Sequence, residues 1–206
     1  MKIKILLNTC FLFMILTSWG QEKRCQQFKK LSCAEKKWVV MHPFVAKKAH
    51  QITIDVRKTV EEIKMDSVLV GMGNALQVDA FRHTYWMALL TQKIGWRRAK
   101  KLGKAHEKGN YKMYKKGQKE DGALPDQISG EMDLFNNTIG IELGRKKDIE
   151  NMKDIVIKTV KSGKCKIIKM DKVGNYLDCG GSIISNDLLK GKWENNKCLV
   201  NSNEID

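Results

Sequence analysis

Apolar residues recur at helical spacing through most of the chain, which predicts a mainly α-helical protein. After Pro43, apolar positions are separated by steps of three and four, and this periodicity predicts an amphipathic helix over about 44–65. Its apolar positions are Val45, Ala49, Ile52, Val56, Val60 and Ile63. A glycine-containing break at 71–74 offers Asn74 as the N-cap of a second helix, over about 75–93. This second helix is apolar around much of its circumference and is therefore expected at the centre of the fold.

Three more helices are predicted after Gly95. They cover about 96–108, 125–144 and 147–161, and their expected ends are marked by Gly109, Gly144 and Gly163. Residues 110–124 are polar and rich in lysine, which predicts a long loop. The buried stripe of the 125–144 helix is expected to consist of Ile128, Met132, Phe135 and Ile139.

The pattern changes after residue 162. Two short apolar segments on either side of a Val-Gly-Asn bend at 173–175 predict a β-hairpin. The fold class predicted is therefore mainly α, an orthogonal-type domain of about five helices with a small cysteine-containing C-terminal β-hairpin appendage. The predicted units are a signal peptide at 1–20, a helical domain at 21–162 and the appendage at 163–206, which is too small to form a core of its own.

The first twenty residues have the organisation of a signal peptide. Lys2 and Lys4 precede an apolar run from Ile5 to about Ile15, and small and polar residues follow it. The run is shorter than the roughly 20 residues that a membrane-spanning helix needs. We therefore expect cleavage near residue 20 and a periplasmic or secreted protein, with a retained anchor as the alternative.

The charge of the chain points to an anionic partner. Lysine and arginine number 38 against 23 acidic residues, which gives a net charge of +15 and favours an anionic polymer or a membrane surface as partner. Only 6 of the 38 basic residues are arginine, the residue that reads bases bidentately, so we expect no sequence-specific nucleic-acid binding. A lysine-rich surface without a specific partner would have the same composition.

Cysteines remaining after signal cleavage predict disulfides. They are Cys25, Cys33, Cys165, Cys179 and Cys198, an odd number that leaves one thiol free if two bonds form. We expect Cys25 to pair with Cys33, and two of the last three cysteines to pair with each other. A zinc site is not indicated, because no C-x2-C pair is present.

Three groups of polar residues are candidates for chemistry. Asp79, Arg82 and His83 lie in the second predicted helix, where Asp79 and His83 share a face at i, i+4 spacing. His106 and Glu107 lie at the end of the third helix. The fourth helix contributes Asp133, Asn136 and Asn137. If these three helices pack together, the groups converge in one pocket.

Two kinds of chemistry fit this inventory. In the metal hypothesis His83, His106 and Asp133 bind a divalent ion such as Zn or Mn. Asp79 then orients His83, and Glu107 activates water. Arg82, Asn136 and Asn137 bind the substrate. In the alternative without metal, His83 is a general base oriented by Asp79, and Arg82 binds an anion.

Three motifs resemble an uncharacterised family of bacterial exported and toxin-associated domains. They are DAFRHTYW at 79–86, AHE at 105–107 and MDLFNN at 132–137, and the resemblance covers about 38–146. It implies a helical domain and points to the same polar residues, but it implies no reaction. The chain departs from the family pattern at Thr84, where a small residue is expected, and at Phe135, where a polar residue or histidine is common.

The sequence thus predicts an exported hydrolase that acts on an anionic substrate such as a phosphoester. Three alternatives remain. The polar cluster could be a structural network that fixes the helix crossing. The protein could be an envelope or anionic-polymer binding protein that uses the lysine-rich segment 111–119. It could also be a non-enzymatic partner of the immunity-protein type.

Overall fold

A computed structural model describes residues 26–119, 122–146 and 151–205. The predicted signal peptide, Cys25 and residues 147–150 lie outside these ranges. The elements in chain order are α1 (Cys33–Met41), α2 (Pro43–Met65), α3 (Gln77–Ile94), α4 (Trp96–Lys115), α5 (Gln127–Arg145), α6 (Met152–Lys161), β1 (Lys166–Ile168), α7 (Asn186–Leu189) and β2 (Leu199–Asn201). This architecture confirms a mainly helical fold with a small antiparallel β element near the C-terminus. No helix within the described ranges is both long and apolar enough to cross a bilayer.

Helix α3 is the centre of the fold, as its apolar circumference predicts. It packs against α2, α4, α5 and α6, and its side chains of Phe81, Met87 and Leu90 are fully buried. Helix α2 covers it on one side. The predicted stripe of α2 is confirmed for Ala49, Ile52, Val56, Val60 and Ile63, which are all buried, whereas Val45 is half-buried.

The beginning of α3 differs from the prediction. The N-cap position is Leu76, whereas the Asn74 Oδ1 atom accepts a hydrogen bond from Arg82 at 3.4 Å. Ala75, between them, has a positive φ of 84°, a backbone conformation that residues other than glycine rarely adopt. The Asp79 carboxylate stabilises this turn by accepting a hydrogen bond from the Ala75 N–H at 2.7 Å.

Helix α4 is longer than predicted and passes through Gly109. A Cβ atom at Gly109 would lie 2.8 Å from the Ser32 Oγ atom, so the glycine serves close packing against the residue that caps α1. The first six residues of the predicted 110–124 loop are therefore helical.

The predicted buried stripe of α5 is wrong in part. Met132 is fully buried, but Phe135 is 41% exposed, and Ile128 and Ile139 are only half-buried. The buried face of α5 consists of Met132, Asp133, Asn136, Asn137, Gly140, Ile141 and Gly144.

Close backbone contact with α3 explains the buried face of α5. A Cβ atom at Gly140 would lie 2.2 Å from the Thr84 carbonyl oxygen, and one at Gly144 would lie 2.4 Å from that of Ala88. The two glycines therefore face α3, and they bring the polar residues on the same face of α5 against it.

The C-terminal segment packs on the helices. Strand β1 pairs with β2 in antiparallel register, with Ile167 opposite Val200. Of the hairpin predicted around the 173–175 bend, the structure shows an isolated bridge between Met170 and Tyr176. Ile167 belongs to the main core cluster, together with buried residues of α2, α3 and α6.

Cys179 and Cys198 form a disulfide, which confirms the expected pairing among the last three cysteines. Cys165 is a buried free thiol, and burial raises its pKa to about 11, so the reactive thiolate is scarce near neutral pH. Cys33 has a free, exposed thiol, whereas its predicted partner Cys25 lies outside the described residues.

Candidate functional site

The candidate site lies where the first turns of α3 face α5. Asp79 anchors it, because its Oδ2 atom accepts from the Ala75 N–H while its Oδ1 atom accepts from Arg82 Nη2 at 2.6 Å. Asp79 is almost fully buried, whereas the Arg82 side chain is 23% exposed and reaches towards solvent. This ion pair fixes the loop before α3 and one wall of the site.

His83 lies between the two aspartates. Its Nε2 atom is 3.6 Å from Asp79 Oδ1 and 3.3 Å from Asp133 Oδ1, and Arg82 Nη2 is also 3.3 Å away. The side chains of His83 and Asp133 are 3% and 8% exposed. One imidazole nitrogen therefore faces two carboxylates and one guanidinium in an interior that excludes most water.

Burial changes the protonation of this group. Desolvation by burial raises the pKa of Asp133 well above its usual value, and the nearby charges of Asp79 and Glu107 raise it further. Desolvation also lowers the pKa of His83 well below its usual value, and the charges of Arg82 and His106 act in the same direction. Near neutral pH we therefore expect an uncharged imidazole, beside an Asp133 carboxyl whose protonated form is favoured by burial.

Several buried polar atoms of the site have no hydrogen-bond partner among the described residues. They are His83 Nδ1, Asp133 Oδ1, Asn137 Nδ2 and Asn137 Oδ1. Asn137 is close enough to His83 to favour the protonated form of its ring. Because most buried polar groups in proteins are paired, atoms of this kind require partners such as ordered water or an ion.

A small cavity of about 50 Å³ opens beside the cluster. Asp79, Arg82 and Asp133 line its inner side. Its other lining residues are Asn74, Ala75, Ala123, Leu124, Pro125, Asp126, Ser129, Ile168, Tyr176 and Lys197. At roughly 10–15 Å³ per water on this measure, the cavity has room for a few waters or one small anionic group.

The rim of the cavity contains a second cation. Lys197 Nζ lies 2.5 Å from Asp126 Oδ2 and 3.8 Å from the centre of the Tyr176 ring. Asp126 also caps α5 by accepting from the Ser129 N–H at 2.8 Å. Sequence reasoning missed Lys197 and Tyr176, because a lysine among 38 basic residues gives no signal of its own.

A family model described as "Domain of unknown function (DUF6973)" matches residues 36–166. The chain belongs to this family. The match contains the expected 38–146 region and extends to β1. No curated protein and no solved structure gave a match.

The DUF6973 region contains the inner part of the site but not all of its rim. Asp79, Arg82, His83 and Asp133 lie within the matched residues, whereas Tyr176 and Lys197 lie in the C-terminal segment beyond them. The cavity is thus built from the family domain and from chain outside it.

His106 and Glu107, on α4 of the DUF6973 domain, lie behind His83. The His106 and His83 ring centres are 6.2 Å apart, and His106 Nδ1 is 3.2 Å from Glu35 Oε1. Glu107 Oε2 accepts a hydrogen bond from Asn110 at 3.2 Å. The three residues whose ligand atoms lie within 4.8 Å of one another are Asp79, His83 and Asp133. His106 as a ligand and Glu107 as a base therefore stay predictions.

Glu35 is a further residue that sequence reasoning missed. Burial alone would raise its pKa, but the hydrogen bond and charge of His106, together with hydrogen bonds from Ser32, lower the pKa overall. Ser32 and Glu35 form a capping box at the start of α1. This Ser-x-x-Glu spacing was readable from the sequence, but its contact with His106, 71 residues away, was not.

Asn136 has a structural connection that uses both the nitrogen and the oxygen of its amide. Its Nδ2 atom donates to the Lys166 carbonyl oxygen at 2.9 Å, and its Oδ1 atom accepts from the Lys166 N–H at 2.8 Å. These two bonds join α5 to β1 and leave little capacity for substrate. Asn137, which was predicted for the same role, faces His83 with its amide atoms unpaired.

Proposed function

We propose that this protein is a metal-assisted hydrolase that acts on a small anionic group, with phosphoesters as the substrate class. One observation supports the proposal above all others. A ring nitrogen of His83 and carboxylate oxygens of Asp79 and Asp133 lie within 4.8 Å of one another, and both aspartates line the cavity. Imidazole and carboxylate are ligands that Zn and Mn accept in proteins.

The separations among these atoms suit a metal ion. Ligand atoms about 2.1 Å from a tetrahedral ion lie about 3.4 Å from one another. The distances from His83 Nε2 to the two carboxylates, 3.6 Å and 3.3 Å, bracket that value. Asp79, His83 and Asp133 would hold the ion, which lowers the pKa of a bound water so that hydroxide is available near neutral pH. Asp79 would thus act in place of His106 in the predicted ligand set.

The charges of the site also favour a divalent cation. Asp79 and Asp133 repel each other, and the raised pKa of Asp133 reflects that repulsion together with burial. A dication would stabilise both carboxylates as anions and would displace the proton of Asp133 to solvent. The low pKa of His83 keeps its ring neutral, which is the form that binds metals.

Arg82 and Lys197 would bind the anionic substrate. Both line the cavity, and the delocalised charge of arginine suits two oxygens of a phosphoryl group. Arg82 Nη2 contacts both Asp79 Oδ1 and His83 Nε2, so the guanidinium would turn towards the cavity when a metal binds. The cavity volume of about 50 Å³ limits the enclosed part of the substrate to roughly one phosphoryl group.

The decisive experiment measures metal content and hydrolysis together. The protein is purified without chelators or a His tag, and its metal is measured by inductively coupled plasma mass spectrometry. We expect near-stoichiometric Zn or Mn, hydrolysis of bis-p-nitrophenyl phosphate, and loss of both in His83→Ala. His50→Ala is the matched control, because His50 is exposed on α2 and far along the chain from the site.

A second pair of variants separates the ligand assignments. Asp133→Asn should lose metal and at least about a hundredfold in rate. His106→Ala should keep its metal if Asp79 is the third ligand, and should lose it if His106 is. Folded protein that contains no metal and hydrolyses no phosphoester would contradict the proposal.

Binding of an anionic polymer is a second candidate function. Lys112, Lys115, Lys116 and Lys119 are exposed at and after the end of α4. Adhesion through lysine weakens steeply as ionic strength rises, whereas chemistry in an enclosed site is far less affected. Retention of the protein on heparin–agarose that salt abolishes, without any hydrolytic activity, would favour this function.

Export of the protein belongs to the same proposal. The Cys179–Cys198 disulfide suits an oxidising compartment, which the predicted signal peptide would reach. A hydrolase would also suit the toxin-associated character that the sequence motifs suggest. N-terminal sequencing of the protein from periplasm and medium tests the export, and a chain that still begins at Met1 would contradict cleavage.

A further inference from the structure

The corner between α1 and α2 exposes a group of apolar side chains. Val40 is 70% exposed, Met41 is 60% exposed and Phe44 is 98% exposed, so the Phe44 ring has almost no contact with the part of the chain that the structure describes. Fully exposed phenylalanine is uncommon in proteins, because burial of such a ring is worth roughly 1.5–3 kcal/mol, or about ten- to a hundredfold in an equilibrium.

The corner is held by buried neighbours. His42 stacks on Trp38 with ring centres 4.8 Å apart, and its Nδ1 atom lies 2.9 Å from the Trp38 carbonyl oxygen. Trp38 is itself buried and donates a hydrogen bond to the Arg98 carbonyl oxygen at 3.1 Å. Pro43 then begins α2 immediately. The exposed side chains therefore project from a rigid support.

The stretch of chain that forms the corner carries only positive charge. Residues 36–54 contain four lysines and no acidic residue. Lys37 on α1 and Lys47 and Lys48 on α2 are exposed on either side of the apolar group. Apolar side chains with lysines on both sides are the arrangement by which peripheral proteins contact anionic lipid, with rings below the headgroups and ammonium groups among them.

We propose that residues 37–48, the α1–α2 corner, dock on an anionic lipid bilayer by inserting Met41 and Phe44. The small size of the apolar group favours a bilayer over a folded partner, because a stable protein interface buries about 800 Å² on each side. A soluble anionic polymer would attract the lysines but would gain nothing from Phe44. The proposal does not rest on the hydrolase site, because none of residues 37–48 lines the cavity.

Vesicle co-sedimentation tests the proposal with the exported protein, from which the proposed signal peptide has been removed, because the apolar run at 5–15 would itself bind lipid. We expect binding to vesicles of phosphatidylcholine with phosphatidylglycerol, and much weaker binding to phosphatidylcholine alone. Phe44→Asp should lower the partition coefficient about tenfold or more. Lys47→Gln with Lys48→Gln should lower it by roughly fivefold for each lysine, at about 1 kcal/mol per charge.

Val173→Asp is the matched control, because Val173 is 87% exposed but lies in the turn at 171–174, outside the corner, and it should bind like the wild type. Thermal unfolding should be unchanged in Phe44→Asp, since the ring has almost no contacts to lose. All variants begin at the same residue, so the comparison isolates the corner. Equal binding of Phe44→Asp and wild type, or no binding of the wild type, would overturn the proposal. Loss in the lysine variant alone would instead indicate a general anionic-polymer surface and would also overturn it.

Discussion

Asp79 and Asp133 approach the same imidazole nitrogen from different surroundings. Asp79 accepts hydrogen bonds from the Ala75 N–H and from Arg82, so its negative charge is stabilised within the fold. Asp133 has an Oδ1 atom without a hydrogen bond, and its pKa is raised. The folded structure therefore destabilises its ionised form. Asp79 therefore stabilises the fold, whereas the burial of Asp133 is not offset by hydrogen bonds of this kind.

This difference predicts opposite effects of the same substitution. In the presence of EDTA, Asp79→Asn should lower the free energy of unfolding by about 2–3 kcal/mol, because it removes charge-assisted hydrogen bonds. Asp133→Asn should be neutral or stabilising by up to about 1 kcal/mol, because it removes a buried carboxyl whose ionised form the fold destabilises. Urea unfolding of both variants measures this. Equal destabilisation would instead assign Asp133 to a structural network.

The pH dependence of stability provides a second prediction for these residues. His83 has a folded pKa below its usual 6.5, so its neutral form stabilises the fold above that pH and the contribution is lost as pH falls. Asp133 has a folded pKa above its usual 3.8, so its protonation restores stability as pH falls. The two contributions oppose each other in the wild type.

Asp133→Asn removes the second contribution. Between pH 6.5 and about 4, the variant should lose stability more steeply than the wild type, by up to about 1.4 kcal/mol per pH unit for one uncompensated proton. Urea unfolding at several pH values, with EDTA throughout, measures the difference. Parallel curves for the two proteins would contradict the protonation states inferred for the site.

At the scale of elements, the crossing of α3 and α5 decides which residues meet. Gly140 and Gly144 bring the backbones of the two helices into contact. Asp133 lies two turns and Asn137 one turn before Gly140 on the same buried face, so the same contact sets them beside His83. The glycines therefore position the site although they have no chemistry of their own.

Gly140→Ala tests this dependence. The added methyl would overlap the Thr84 carbonyl oxygen, so we expect destabilisation by about 3 kcal/mol and weaker metal binding. Gly130→Ala is the matched control on the same helix, because its nearest neighbour would be 3.9 Å away and alanine favours the helix by about 1 kcal/mol. Thermal and urea unfolding compare the two. If both variants are equally stable, the helices do not depend on this contact.

At the scale of the whole molecule, the C-terminal segment completes the cavity. Cys198 follows Lys197 directly, and its disulfide to Cys179 closes a loop that also contains Trp193. Trp193 packs on Tyr111 and Tyr114 of α4, with ring centres 4.7 and 5.1 Å away. The disulfide and these rings together hold Lys197 at the rim.

Removal of the disulfide should affect stability and substrate binding together. Replacement of Cys179 and Cys198 by alanine should lower the free energy of unfolding by about 3 kcal/mol, the value for a loop of this length. It should also raise KM for an anionic substrate through loss of order at Lys197. Cys33→Ser is the control, since that thiol is exposed and free. An unchanged unfolding midpoint would show that the segment is held by packing alone.

Local sequence determined the helical class, α2 with its buried stripe, the central position of α3 and the polar residues near His83, because apolar periodicity and i, i+4 spacing are properties of short segments. It placed the helix end at Gly109 and the buried stripe of α5 wrongly. The sequence does not distinguish a glycine that ends a helix from a glycine that allows close contact between helices, because the difference lies in the neighbouring helix. Phe135 is more apolar than Asp133, yet the backbone contact with α3 buries the aspartate.

Only the tertiary structure decided which polar side chains meet in the site. Asp79 faces both His83 and Asp133, whereas His106 lies against Glu35, and none of these pairings except Asp79 with His83 is local in sequence. Lys197 reaches the cavity from beyond the family domain through a strand pairing and a disulfide. Such contacts depend on the relative placement of elements, which a single sequence encodes through the packing of the whole chain.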